Sequence, residues 1–179
     1  MMKPNRIRKN TKKMTLAASF AALSFVLLLV GSFFESLDLT FSALASFTVV
    51  LAVIELGRPY PLLIYAVTSL LALLLLPSKF AAVCYALFFG FYPIFKEMFE
   101  RFRPLVSWVL KFSLFNIGFF VILLVSRFLL GLPDLSPFDI PLLLLGNAAF
   151  FLFDFALSRL ITLYLFKLRR LLKLKDYFE

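Results

Sequence analysis

The chain has 179 residues, 63% of them hydrophobic and 25 of them phenylalanine, with a mean hydropathy of +0.99. A soluble domain of that composition would expose too much apolar surface to remain dispersed in water, so the chain reads as an integral membrane protein. One cysteine and no histidine exclude an intrachain disulfide, a Cys/His metal site and histidine-dependent catalysis, and the formal charge of +9 gathers at the ends of apolar runs rather than on a nucleic-acid-binding face.

Residues 15–34 form an uncharged run of 20 residues, which as a helix covers the roughly 30 Å of a bilayer's hydrocarbon core. Lys3, Arg6, Arg8, Lys9, Lys12 and Lys13 precede it with no acid among them. A signal peptide has the same order of features but a shorter apolar core and a small-residue cleavage site, whereas this run ends in Phe33, Phe34 and Glu35; it is a retained span. Ala17 and Ala21, and one step round Ala18 and Ala22, are small residues one turn apart, the spacing that lets a second helix approach closely. That helix is either one of the protein's own or a partner's.

A second apolar run, 37–56, follows the acidic turn at Glu35 and Asp38, and Gly57, Arg58 and Pro59 then break the chain. The third span, about 61–76, is the shortest. In the fourth, about 80–95, Gly90 and Pro93 predict a bend, because proline removes an intrahelical hydrogen bond. The fifth runs from Pro104 to Leu130, and the sixth occupies about 140–166 after a turn-rich stretch holding Asp134 and Asp139. The expected fold is an all-α integral membrane protein, a bundle of six transmembrane helices. Residues 1–13 make a basic cytoplasmic arm, 14–170 the transmembrane domain and 171–179 a cytoplasmic tail. In that topology fifteen of the 19 basic residues lie on one side and only Lys79 and Arg127 on the other; lysine and arginine resist translocation, so both termini are expected in the cytoplasm.

Three charged residues lie well inside the spans: Lys111, Asp154 and Arg159. Each needs a partner or a watery cavity, since a lone charge at the bilayer centre costs at least about 2.5 kcal/mol. If the fifth and sixth helices are antiparallel neighbours about 131–139, Asn116 falls level with Asp154 and Lys111 level with Arg159, forming a polar network of Lys111, Asn116, Asp154 and Arg159. Such a network either locks helices together or serves as a gate or coupling element; an intramembrane enzyme or proton-coupled carrier would need Asp154 to titrate. Lys79, Tyr85, Arg127 and Asn147, with the turn acids, are the candidate substrate contacts of the outer half, although tyrosine and lysine near span ends are also ordinary interfacial anchors. No catalytic constellation and no glycine-rich phosphate loop is present in the sequence, so the chain reads as a non-enzyme with neither metal nor cofactor.

The basic arm, the Ala17-xxx-Ala21 helix after Lys13-Met-Thr-Leu, six short spans, and the run Tyr85-Ala-Leu-Phe-Phe-Gly-Phe closing into a basic loop together resemble the substrate-binding S components of energy-coupling factor transporters. The resemblance covers about residues 12–170 and rests on layout. It implies a subunit in a prokaryotic plasma membrane that captures a vitamin-like small molecule from outside. It also implies a transmembrane coupling subunit and two cytoplasmic ATPases as partners, with Ala17 and Ala21 packing on the coupling subunit. No signature of the thiamin, riboflavin or biotin types is present, and the absence of histidine speaks against a nickel or cobalt type. The competing reading is a small scaffolding membrane protein in which phenylalanine fills the outer half.

Overall fold

A computed structural model describes residues 4–130 and 140–168 of the chain. Among them every regular element is helical: α1 (Pro4–Gly31), a 3₁₀ turn (Glu35–Leu37), α2 (Asp38–Glu55), α3 (Tyr60–Leu75), α4 (Lys79–Cys84), a π-helical turn (Tyr85–Phe89), α5 (Tyr92–Phe99), α6 (Pro104–Leu130) and α7 (Ile140–Leu163), which runs on through a second π turn (Tyr164–Leu168). Five stretches are long and apolar enough to cross a bilayer: 10–31, 38–55, 79–99, 104–128 and 140–167. This is the build of a multi-pass membrane protein. α3 is apolar but has 16 residues, about 24 Å at 1.5 Å per residue.

The described part of the basic arm lies on the same helix as the first span. α1 starts at Pro4 and continues without a break to Gly31, because proline is tolerated in the first turn and no helix breaker follows before Gly31. α2 stops where Leu56 donates its N–H to the Ala52 carbonyl at 3.0 Å and Gly57 takes a φ of +67°, the left-handed conformation that caps helices and that a Cβ disfavours. Ser78 opens α4, its Oγ accepting from the Ala81 N–H at 3.4 Å.

The α-helix of the fourth span is interrupted where the bend is expected, and the geometry there is specific. α4 and α5 are joined by the π turn, in which the Gly90 N–H reaches back to the Tyr85 carbonyl at 2.8 Å, and Pro93 sits in the first turn of α5. Gly90 is where Tyr65 of α3 packs: a Cβ there would lie 2.6 Å from the Tyr65 ring and 2.9 Å from that of Tyr85. The span runs to Phe99 rather than ending near Phe95, which turns Lys96 from a loop residue into a helical one.

α2 and the fourth span are the centre of the bundle. Ala17, Val49, Ala52, Leu56 and Ile64 knit α1, α2 and α3; Leu28, Ala45, Ala72, Leu76, Ala82 and Tyr85 add the start of the fourth span. A third cluster, Val50, Phe88, Tyr92, Phe115, Phe150 and Leu157, joins α2, the fourth span, α6 and α7. In their most apolar stretches 56% of the fourth span is buried but only 17% of the segment containing α7. Leu62, Leu70 and Leu74 on α3 and Leu144, Leu145 and Leu152 on α7 point away from the bundle, a surface that lipid tails satisfy and water does not.

Candidate functional site

Alternating helices give the bundle two ends, the arm end where α1 begins and the far end at the starts of α2, α4 and α7. In the far half, where the loosely packed α7 leans on the rest, lies a cavity of about 410 Å³. Leu39, Thr40 and Ala43 contribute from α2, and Phe80, Cys84, Phe88 and Phe89 from the fourth span. Phe115, Phe119, Ile122 and Leu123 of α6 and Leu142, Gly146, Ala149, Phe150 and Phe153 of α7 complete the wall. Its shape follows from aromatic packing: Phe115 and Phe150 stack at 4.6 Å between centroids, and Phe88 meets both rings edge-on at 5.4 and 5.8 Å. Rings locked against one another cannot collapse into the gap beside them, and small residues at 43, 146 and 149 leave the space open. Among the described lining residues Thr40 and Cys84 are the only ones with a polar side chain, so the described wall is apolar.

Below the aromatic layer, toward the arm end, lies a charge network. Asp154 Oδ1 accepts from Tyr92 Oη at 2.6 Å and from Lys96 Nζ, while Oδ2 accepts from Lys111 Nζ at 3.1 Å. Glu100 Oε1 takes both ammonium groups, each at 3.0 Å, and Lys96 also donates to Ser158 Oγ at 2.8 Å. Lys96, Lys111 and Asp154 are 2%, 4% and 2% exposed, and two lysines against two carboxylates leave the group neutral. Lys111 also lies 5.3 Å from the centroid of the Trp108 ring, which adds a cation–π contact. Neutrality and a nearly complete set of hydrogen bonds make the burial tolerable. Through this cluster one carboxylate of α7 ties together α5 and α6.

The expected network is therefore corrected in membership and register. Lys111 faces Asp154, five residues earlier than the expected Arg159. Asn116 faces Asn147, seven earlier than Asp154, in a reciprocal amide pair at 3.0 and 3.1 Å. Each amide gives its remaining proton to the carbonyl one turn back, Phe112 or Leu143, at 2.8 Å. Arg159 is exposed and lies over the Phe155 ring at 5.0 Å; five residues beyond Asp154 is about 140° round the helix, so it cannot share Asp154's direction. Sequence reasoning missed Tyr92, Lys96, Glu100 and Ser158, although Tyr92, Lys96 and Glu100 recur every fourth residue, the spacing of one helical face.

Of the four expected substrate contacts, none lines the cavity. Lys79 is exposed and donates to the Leu73 carbonyl at 3.0 Å, and Arg127 is exposed. Tyr85 is fully buried, sharing a hydrogen bond of 3.1 Å with Ser24 of α1, and Asn147 is committed to Asn116. The alanines divide in two: Ala17, 7% exposed, packs inside the chain's own α1–α2–α3 cluster with Ala21 beside it, whereas Ala18 and Ala22 face outward. Ala17 is thus taken up by intramolecular packing. The turn acids Asp134 and Asp139 lie outside the described residues. No family model, curated protein or solved structure matches the chain.

Proposed function

We propose that the chain is the membrane-embedded substrate-binding subunit of an uptake system of the energy-coupling-factor type, and that its substrate is a small, largely apolar molecule held in the far-half cavity. The observation that carries this reading is the cavity itself, walled by four spans and closed toward the arm end by aromatic rings. In the proposed topology six spans cross the plasma membrane of a prokaryote, the basic arm end faces the cytoplasm and the cavity opens from the outer half. Energy comes from a transmembrane coupling subunit and two cytoplasmic ATPases, since this chain carries no nucleotide motif. The outward pair Ala18 and Ala22 is the surface a coupling helix meets, one step round from the pair first considered.

Co-purification after gentle detergent extraction tests the partner half of the proposal. An Ala18→Trp, Ala22→Trp variant is expected to fold and to lose the coupling subunit and ATPases that accompany the wild type. Retention of those partners by the variant, or their absence from the wild type in cells that express such a module, overturns it. The self-contained charge network favours one other reading, a scaffolding protein held rigid by its ion pairs. That protein would keep no ligand in the cavity.

A further inference from the structure

The far-half cavity is open along one seam. Of its described lining residues only Leu39 and Thr40 of α2 and Ala149 of α7 are exposed, while those from the fourth span and α6 are buried or half-buried. The opening therefore lies between α2 and α7. These two helices are joined at the arm end, where Val50 and Leu157 share a buried cluster and Tyr164 Oη donates to Glu55 Oε1 at 3.1 Å. Nearer their starts, Ala43 and Ala149 belong to none of the buried clusters and border the cavity instead. Leu39 is the second residue of α2, whereas Ala149 lies about 14 Å along α7 at 1.5 Å per residue. An opening that takes in both levels is in the flank of the bundle, at the depth of lipid tails, and not only at its end.

The phase on the other side of that seam decides what fills it. Leu145 and Leu152, one turn before and one turn after Ala149 on the same face of α7, are 70% and 65% exposed, and Leu44, one turn on from Thr40, is 45% exposed. The lips of the seam thus belong to the surface that lipid tails cover. Water gains no hydrogen bonds inside an apolar wall, and a wall left empty forfeits its dispersion contacts, so hydrocarbon is the matching occupant. We propose, resting on the reading of this cavity as a ligand site, that the ligand is a membrane-resident amphiphile. Its hydrocarbon chain enters sideways from the bilayer between α2 and α7, and its polar end stays at the level of Thr40, in the first turn of α2. This route requires no passage of the ligand through water, and it is independent of the coupling partners.

The test uses the purified full-length protein in phosphatidylcholine vesicles with two photoreactive probes: a long-chain fatty acid carrying a diazirine midway along its chain, dissolved in the bilayer, and a short-chain diazirine acid added in water. Peptide mapping by mass spectrometry separates labels on the wall, at Cys84, Phe88 and Phe115, from labels on the outer face, at Leu145 and Leu152, which any surrounding lipid reaches. The long-chain probe is expected to label both groups in the wild type. In Ala149→Phe it should lose the wall labels and keep the outer ones, whose persistence shows that the variant is folded and inserted. Should Ala149→Phe fail to fold, Ala43→Phe, on the other helix of the seam, must lose the wall labels in the same way. Wall labels that the folded variant retains, or long-chain labels confined to the outer face of the wild type, overturn the inference. In that last case the short-chain probe tells two failures apart: wall labels from it alone leave the cavity a ligand site reached from water, whereas wall labels from neither probe remove the ligand site as well.

Discussion

Asp154 is the residue on which the arm-end half of the bundle depends, because its two oxygens take three donors from two other elements. Removing its charge leaves Lys96 and Lys111 buried against a single half-exposed Glu100. Asp154→Asn is therefore expected to destabilise the protein by about 3–5 kcal/mol, the cost of breaking a buried pair. Replacing the pair together, Lys96→Met with Asp154→Leu, should cost less than the sum of the single changes, a coupling read by thermal unfolding of the full cycle. Additive losses would show that the ion pair is not the unit of stability. Arg159→Ala, by contrast, should change stability by less than about 0.5 kcal/mol, as suits an exposed side chain. Asp154 and Lys111 were legible in the sequence as intramembrane charges that need partners. Lys96 was not, because its neighbours Glu97 and Glu100 give that stretch the polarity of a loop.

At the scale of elements, five long apolar helices could be read directly from apolar runs bounded by Gly, Pro and charge, whereas the end of the fourth span could not. The side-by-side register of α6 and α7 could not, because it is set by packing rather than by the midpoint of the connecting stretch. The reciprocal Asn116–Asn147 pair fixes that register, and cross-linking tests it. In a Cys84→Ala background, Asn116→Cys with Asn147→Cys should form a disulfide under mild oxidation, and Asn116→Cys with Asp154→Cys should not; the reverse pattern would restore the midpoint register. The interruption of the fourth span was foreseeable from Gly90 and Pro93, but the reason for glycine at 90 lies in α3. Gly90→Ala drives a methyl group into the Tyr65 and Tyr85 rings and should lower stability by about 1–3 kcal/mol, the usual cost of overpacking. Tyr65→Leu in addition should recover part of that loss in thermal unfolding, and an unaltered Gly90→Ala protein would refute the close approach.

At the scale of the whole molecule, the asymmetry of burial shapes the cavity: α2 and the fourth span form the more buried centre, while α7 is held at the arm end by Asp154 and lines the cavity at the far end. The cavity was invisible in the sequence. Its lining comes from four spans, and the same phenylalanines would read as filling had their rings met across it. Its described wall is apolar, and Lys79, Tyr85, Arg127 and Asn147 lie outside it. The proposed orientation is open to test by labelling single cysteines in sealed cells. Cysteines at Lys79 and Arg127 should react with an impermeant reagent from outside and those at Lys13 and Arg103 should not, the opposite pattern reversing the topology.

The measurement that bears most directly on a ligand-binding cavity is mass spectrometry of small molecules retained by the protein purified from its own membranes, comparing the wild type with Ala43→Phe and Ala149→Phe. The account predicts one apolar compound at near-equimolar amount in the wild type and its loss from both variants, each still folded. A wild type that retains nothing, or variants that retain the same compound in the same amount, would contradict it.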